Sequence, residues 1–346
     1  MHCSAGKAIP ESGILLARYV NDTKRKVWDV VIVGAGPVGL SAALVLGRCC
    51  RSVLVCDRGT PRSWASKAMH GFISRDGVPP STFRRRARKE LSRYPNVHYW
   101  RGEVKRVVRG NVAFGVYLQR RIVHARKLLL ATGVFDQLPA IPGFETLFGR
   151  SVFPCPYCDA WEYRGRPVAV YGRGSRGFEM TRALTAWTND IVLCTDGPSR
   201  LSGAAVQQMQ RKGIAVMRGR IERLSVVDRR LSEVVFRSGE RLKRDALFFD
   251  TPSRPQSTLM VQLGCSLDRH GRIRCGQYEA TSVPGIFAAG NVLSDVQLSI
   301  VAAAEGARAA FGINRALTRE DFDERKARGK RRGGEATTRN RHPHLS

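Results

Sequence analysis

The chain has 346 residues, 43% of them hydrophobic, nine cysteines and a formal net charge of +29. That length exceeds one ordinary domain and can bury one or two cores, so two domains are expected. The odd, irregularly spaced cysteines exclude a disulfide-stapled secreted framework and point to a reducing, cytoplasmic setting, and the longest apolar stretch near the start, Ile14 to Ala17, is too short for a signal peptide or a membrane span.

Residues 1–26 are expected to be a mobile lead. Val27 to Val33 follows as a continuous apolar run too short for a helix, which predicts a buried parallel strand. It enters GAGPVG, carrying Gly34, Gly36, Pro37 and Gly39, then an apolar helix from Leu40 to Leu46 and a strand from Ser52 to Cys56 that ends at Asp57. The three glycines do different things. Gly34 makes the tight turn, Gly36 lets the backbone approach a pyrophosphate, and Gly39 lets helix and strand pack closely. The helix N-terminus favours the negative charge. Asp57, 18 residues after Gly39, is placed to accept hydrogen bonds from ribose hydroxyls. A lone glycine fingerprint is weak, but strand, turn, helix, strand and terminal acid together predict dinucleotide binding. Cys49 and Cys50, adjacent near the end of that helix, read as packing residues, since a vicinal disulfide would distort the backbone.

CPYCD then places Cys155 and Cys158 two residues apart. Such a pair closes a small ring in which either sulfur can attack or leave, so it can be oxidised and reduced repeatedly. Asp159 is an acid placed to move a proton. A zinc site needs four ligands, and the core holds no second pair of suitable spacing; His342 and His344 lie in the tail, so no metal is expected. A buried, inert pair is the other reading of the motif alone, and its place between two nucleotide-type turns favours redox chemistry. Trp161 and Glu162, just after it, line the substrate approach, or the aromatic belongs to the core.

A second copy of the pattern runs from Pro167 to Tyr171 through GRGSRG, with Gly172, Gly174 and Gly177, and a helix to Trp187, to the strand Asp190 to Cys194 and Asp196. Two such turns about 140 residues apart suggest a duplicated α/β architecture of two Rossmann-like domains, one holding a flavin and the other a nicotinamide. An acid at Asp196 suits a free 2′-hydroxyl and so NADH over NADPH, unless Arg200 reaches across. The alternative, a domain that keeps the fold without binding nicotinamide, stays open. Near the C-terminus, Arg325 to Ser346 holds eight basic residues against one acid and no hydrophobic periodicity. A basic disordered tail over 321–346 is expected, with generic rather than specific affinity for nucleic acid.

The ordered set GAGPVG, ATG (Ala131 to Gly133), CPYCD, GRGSRG and FAAGNV (Gly290, Asn291) resembles the low-molecular-weight thioredoxin reductase family of pyridine nucleotide-disulphide oxidoreductases, over roughly Val27 to Leu317. That resemblance implies a discontinuous FAD-binding domain (27–140 and 255–320) into which a nicotinamide-type domain carrying the CxxC (141–254) is inserted. It further implies a homodimer, Cys158 nearer the flavin, and electrons passing between NADH or NADPH, flavin, the CxxC disulfide and a thioredoxin-like protein or small disulfide. Arg62, His70, Val104 and Gln297 complete the expected cofactor contacts. Departures accompany the likeness: Thr195, Asp196 and Gly197 stand where an arginine cluster for the 2′-phosphate is usual, and Asn291 replaces an Asp. HGFISRDG, with His70 and Asp76, and CPYC followed by Trp161 and Glu162 also resemble the gliotoxin and holomycin dithiol oxidase branch, which implies oxygen-dependent oxidation of small dithiols. Asp159 rather than His after the pair favours the reductase. A flavin-binding redox sensor is the remaining alternative.

Overall fold

The computed structural model describes residues 26–293 and 296–338, without the side chains of 325–338. The expected lead, Lys26 excepted, and the last eight residues lie outside the described residues.

A first sheet contains β1 (Val27–Val33), β2 (Val53–Asp57), β3 (Val97–Arg101), β4 (Arg106–Arg109), β5 (Phe114–Tyr117) and β6 (Ile122–Leu130), in the order β3-β2-β1-β6-β5-β4. Helix α1 (Pro37–Arg48) follows β1, and α2 (Pro80–Leu91) follows β2. β1 to β3 and β6 run parallel, whereas β4 and β5 add an antiparallel edge. From β6 the chain passes through β7 (Val134–Asp136) into a second, all-parallel sheet: β8 (Val152–Phe153), β9 (Val168–Tyr171), β10 (Ile191–Cys194) and β11 (Ala215–Met217). Within this unit, the short helix α3 (Pro156–Asp159) follows β8 and the longer α4 (Gly174–Leu184) follows β9. A three-stranded antiparallel sheet, β12 (Ile221–Val227), β13 (Arg230–Phe236) and β14 (Arg241–Lys243), precedes β15 (Ala246–Phe249), which completes the order β11-β10-β9-β15-β8.

The return leg β16 (Ser253–Pro255) pairs antiparallel with the outgoing β7, so the two legs lie side by side. β17 (Ile286–Ala288) then rejoins the first sheet parallel to the last three residues of β6. The fold is α/β, two Rossmann-like units with the second inserted in the first.

Strand alternation decides which face each core serves. Val30 and Ile32 enter one fully buried cluster with Leu40, Leu46, Ala309 and Ile313. Val31 and Val33 enter another with Val116, Leu128 and Leu130 on the opposite face. A strand buried on both faces must be apolar throughout, which is why β1 reads as an unbroken run. The second sheet repeats the arrangement, with Ala169 facing Phe144 and Phe249 while Val168 and Val170 face Leu184 and Phe248.

Two expectations need correction. The last helix, α5 (Ser299–Thr338), is helical beyond 321, where a disordered tail was expected. Asp321 ties this helix to Arg51 (2.6 Å) and Arg126 (2.7 Å), and Lys127 pairs with Glu320. The Arg, Lys and Glu that make this segment so polar are also good helix formers, so composition alone misreads it. Cys49 and Cys50 are exposed rather than packed, because α1 ends at Arg48 and Cys50 takes a left-handed φ of 58° as the chain turns toward β2.

Candidate active site

The first glycine turn opens into a cavity of about 650 Å³. Gly34, with φ 114°, donates its N–H to the Cys56 carbonyl at 2.8 Å, and a Cβ there would collide with the Ala131 carbonyl. Gly39 has no room for a side chain either, because its Cβ would strike the Gly34 carbonyl. Gly36 differs: a Cβ there would meet nothing within 4 Å. It is the N-cap of α1 with no side-chain cap, and Pro37 begins the helix. An open space at an uncapped helix N-terminus fits the pyrophosphate of a dinucleotide such as FAD.

Asp57 lies at one end of this cavity. One of its oxygens accepts from the Tyr99 hydroxyl, and the other accepts from the Gly59 N–H at 2.9 Å. Arg88 stands 3.8 Å away, and Arg84 and Arg101 line the same end. Tyr99 and these arginines carry no local motif; Tyr99 and Arg101 lie on β3, the next parallel strand beside Asp57, and Arg84 and Arg88 on α2. Burial and the Asp57 hydrogen bond push the Tyr99 phenol up to about 12.

Ala131, Gly133, Val104, Asn291 and Gln297 also line the cavity. Arg62 is held by Asp136 through two bonds (2.8 and 2.5 Å) and donates to Gln297, so the pair predicted separately forms one network. Gly290 and Gly39 support the wall rather than line it. The N–H of Gly290 donates to Glu305 at 2.6 Å, and a Cβ there would come 2.6 Å from Val38.

Cys155, Cys158, Asp159 and His70 line the same cavity. The two cysteines are joined in a disulfide, with Cα atoms 5.4 Å apart, and α3 spans the residues between them. Burial is the largest influence on Asp159 and raises its carboxyl from 3.8 to about 7; His70 opposes the rise and Glu162 adds to it. An acid that titrates near neutrality suits proton transfer to or from a sulfur. Tyr157 and Trp161 are exposed around the pair, and Arg164 lies 4.3 Å over the Trp161 ring. Trp161 therefore faces solvent rather than the core.

The second glycine turn does not line this cavity, and its polar groups are engaged within the protein. Gly172 and Gly177 pack against each other as Gly34 and Gly39 do, with a Cβ on Gly172 only 2.8 Å from the Gly177 Cα. The Gly174 N–H, which would face a pyrophosphate, already donates to the Ser199 carbonyl at 2.8 Å. Asp196 is turned inward as well: it accepts from the Ile221 N–H at 2.9 Å and faces Arg173 (3.3 Å) and Arg220 (3.5 Å). Asp196, the ribose acid expected from the sequence, thus also helps close its own loop. Among the described residues, no cluster of His, Cys, Asp and Glu could hold a metal ion, and no helix is long and apolar enough to cross a membrane.

Residues 28–306 match the family model for pyridine nucleotide-disulphide oxidoreductases. The chain belongs to that family. It is a thioredoxin reductase-like flavoprotein oxidoreductase, and the family implies FAD and NAD(P)H as its usual cofactors. It is 30% identical to thioredoxin reductase tcpT of Claviceps purpurea over 277 residues, 76% of this chain and 86% of that protein. Among solved structures it is similar to TrxB of Bacillus anthracis, with 32% identity and a TM-score of 0.81 over 85% of this chain and 100% of that one. It is also similar to HlmI, with 34% identity and a TM-score of 0.85 over 88% and 97% of the two chains.

Proposed function

We propose that the Cys155–Cys158 pair carries electron pairs between an FAD held in the main cavity and an external thiol or disulfide. One observation supports this above the others: the disulfide and the uncapped glycine turn line the same cavity. When bound, the flavin would supply a two-electron acceptor or donor. Gly36 and the start of α1 would hold its pyrophosphate, and Asp57 its adenosine ribose. Arg62, Gln297 and Asn291 would orient the remainder.

With the pair reduced, one cysteine thiolate attacks a substrate disulfide, forms a mixed disulfide and expels a substrate thiolate. Asp159 supplies that thiolate with its proton. The second cysteine then displaces the other substrate sulfur and closes the Cys155–Cys158 bond again. In the opposite direction the same steps oxidise an external dithiol, and Asp159 takes the proton. Thioredoxin-like proteins and small disulfides or dithiols are the substrate classes of this reading, and a homodimer is its expected assembly.

The closed second turn favours the direction of dithiol oxidation, since the Gly174 N–H and Asp196 are both engaged within the protein. Anaerobic rapid mixing of the flavin-loaded protein with NADH, NADPH and a small dithiol tests the choice. Bleaching by the dithiol and by neither nicotinamide supports oxidation; bleaching by a nicotinamide supports the reductase. Replacing either Cys155 or Cys158 by Ser is expected to abolish turnover while flavin stays bound. Activity retained in both variants refutes the function.

A further inference from the structure

The loop before α2 is fixed by its own backbone. Met69 donates to the Val78 carbonyl and Gly77 to the Met69 carbonyl, each at 2.9 Å, and the Gly71 N–H donates to Asp76 at 2.8 Å. Gly71 and Gly77 supply the positive φ angles, 69° and 74°, that the tight turns need. His70 is thereby set with both ring nitrogens facing carboxylates. Nδ1 lies 3.5 Å from Asp76, and Nε2 lies 3.6 Å from Glu162.

These two carboxylates belong to different units of the fold. Asp76 is part of the same loop, whereas Glu162 sits in the short helical turn Ala160–Tyr163 that continues directly from Asp159. The imidazole, which lines the cavity, therefore faces the segment that continues from Cys158 and Asp159. Among the described residues, the charged or titratable groups that bear on this cluster include His70, Asp76, Glu162, Asp159 and Tyr163, whose hydroxyl donates to the Arg150 carbonyl at 3.0 Å.

We propose that His70 is a positioning residue of the redox centre: anchored by Asp76 and facing Glu162, it holds a ring able to carry charge against the segment of Cys158 and Asp159 and governs proton transfer at Asp159. The proposal rests on the reading that Asp159 serves the redox pair. Burial disfavours the Asp159 carboxylate most; on top of it His70 favours the carboxylate and Glu162 disfavours it, so the two neighbours act in opposite directions on one acid. The arrangement leaves Asp159 an acid for a departing thiolate and a base for an arriving thiol.

The Asp159 carboxyl can be followed directly by carbon NMR of aspartate-labelled, flavin-loaded protein with the disulfide closed, assigned by comparison with Asp159→Asn. In His70→Gln the Asp159 titration midpoint is expected to move upward, because the neighbour that favours its carboxylate is lost while polarity remains. His70→Lys, which supplies a positive charge, is expected to bring it back toward the wild-type position. In the His70→Gln background, adding Glu162→Gln is expected to move the midpoint down. The pH midpoint of dithiol-driven turnover is expected to follow each of these movements. An unmoved midpoint in His70→Gln, or no return in His70→Lys, overturns the proposal. Because the titration is read without turnover, these outcomes are independent of whether the cysteine variants refute the function.

Discussion

Asp159→Asn tests how far the redox site is held against its own stability. Burial keeps the native carboxyl protonated up to about pH 7, whereas in the unfolded chain the same group ionises near its ordinary value of 3.8. Between those two values the folded state binds more protons than the unfolded state, so this residue makes stability fall as pH rises. Each pKa unit is worth about 1.4 kcal/mol, which gives a ceiling of about 4 kcal/mol above neutrality. Asp159 is only partly buried, and solvent lowers the expected figure to about 2 kcal/mol. Asparagine has nearly the same shape and no charge, so the variant should match the wild type near pH 4 and exceed it progressively up to about pH 8. Urea unfolding at matched flavin content, with the disulfide closed in both proteins, measures the difference. Parallel stability curves across that range would refute the assignment of a raised carboxyl.

Three further outcomes are expected. Gly36→Ala should leave stability within about 0.5 kcal/mol, since φ is −76° and the added carbon meets no protein atom, yet flavin should be lost on gel filtration. Gly39→Ala should instead cost about 1–3 kcal/mol or more by denaturant unfolding, because its added carbon meets the Gly34 backbone, which cannot step aside. Arg126→Ala should cost about 2 kcal/mol by the same assay, as it leaves Asp29 and Asp321, both largely shielded from solvent, without this guanidinium.

The first nucleotide unit was legible because each of its requirements is local. A buried strand, three glycines at fixed spacing and an acid at the next strand end lie within one short segment, and β1, α1 and β2 form where that segment predicts. The second unit repeats the same local pattern, but its chemistry depends on distant groups. Arg220 and the Ile221 N–H lie more than 20 residues beyond Asp196, and nothing in TDG announces that they will engage it. The same limit applies around the disulfide. CPYCD identifies the sulfurs and the adjacent acid, while the His70–Glu162 contact joins segments about 90 residues apart and depends on how the two units meet. The terminal helix was missed for a different reason: its Arg, Lys and Glu serve a solvated helix as well as a disordered chain, and only the ion pairs to Arg51 and Arg126 distinguish them.

The return of β17 to the side of β6 has a consequence for biosynthesis. Ala289, Asn291 and Ala302 all contribute to the cavity wall, so its wall is completed only after the chain has been made through Ala302. The inserted unit, by contrast, is fully translated earlier and can fold as a block while the rest still waits on the ribosome. The nascent protein would thus own its pair of thiols before it can capture a prosthetic group, leaving those sulfurs to the redox state of their surroundings until the last helix docks.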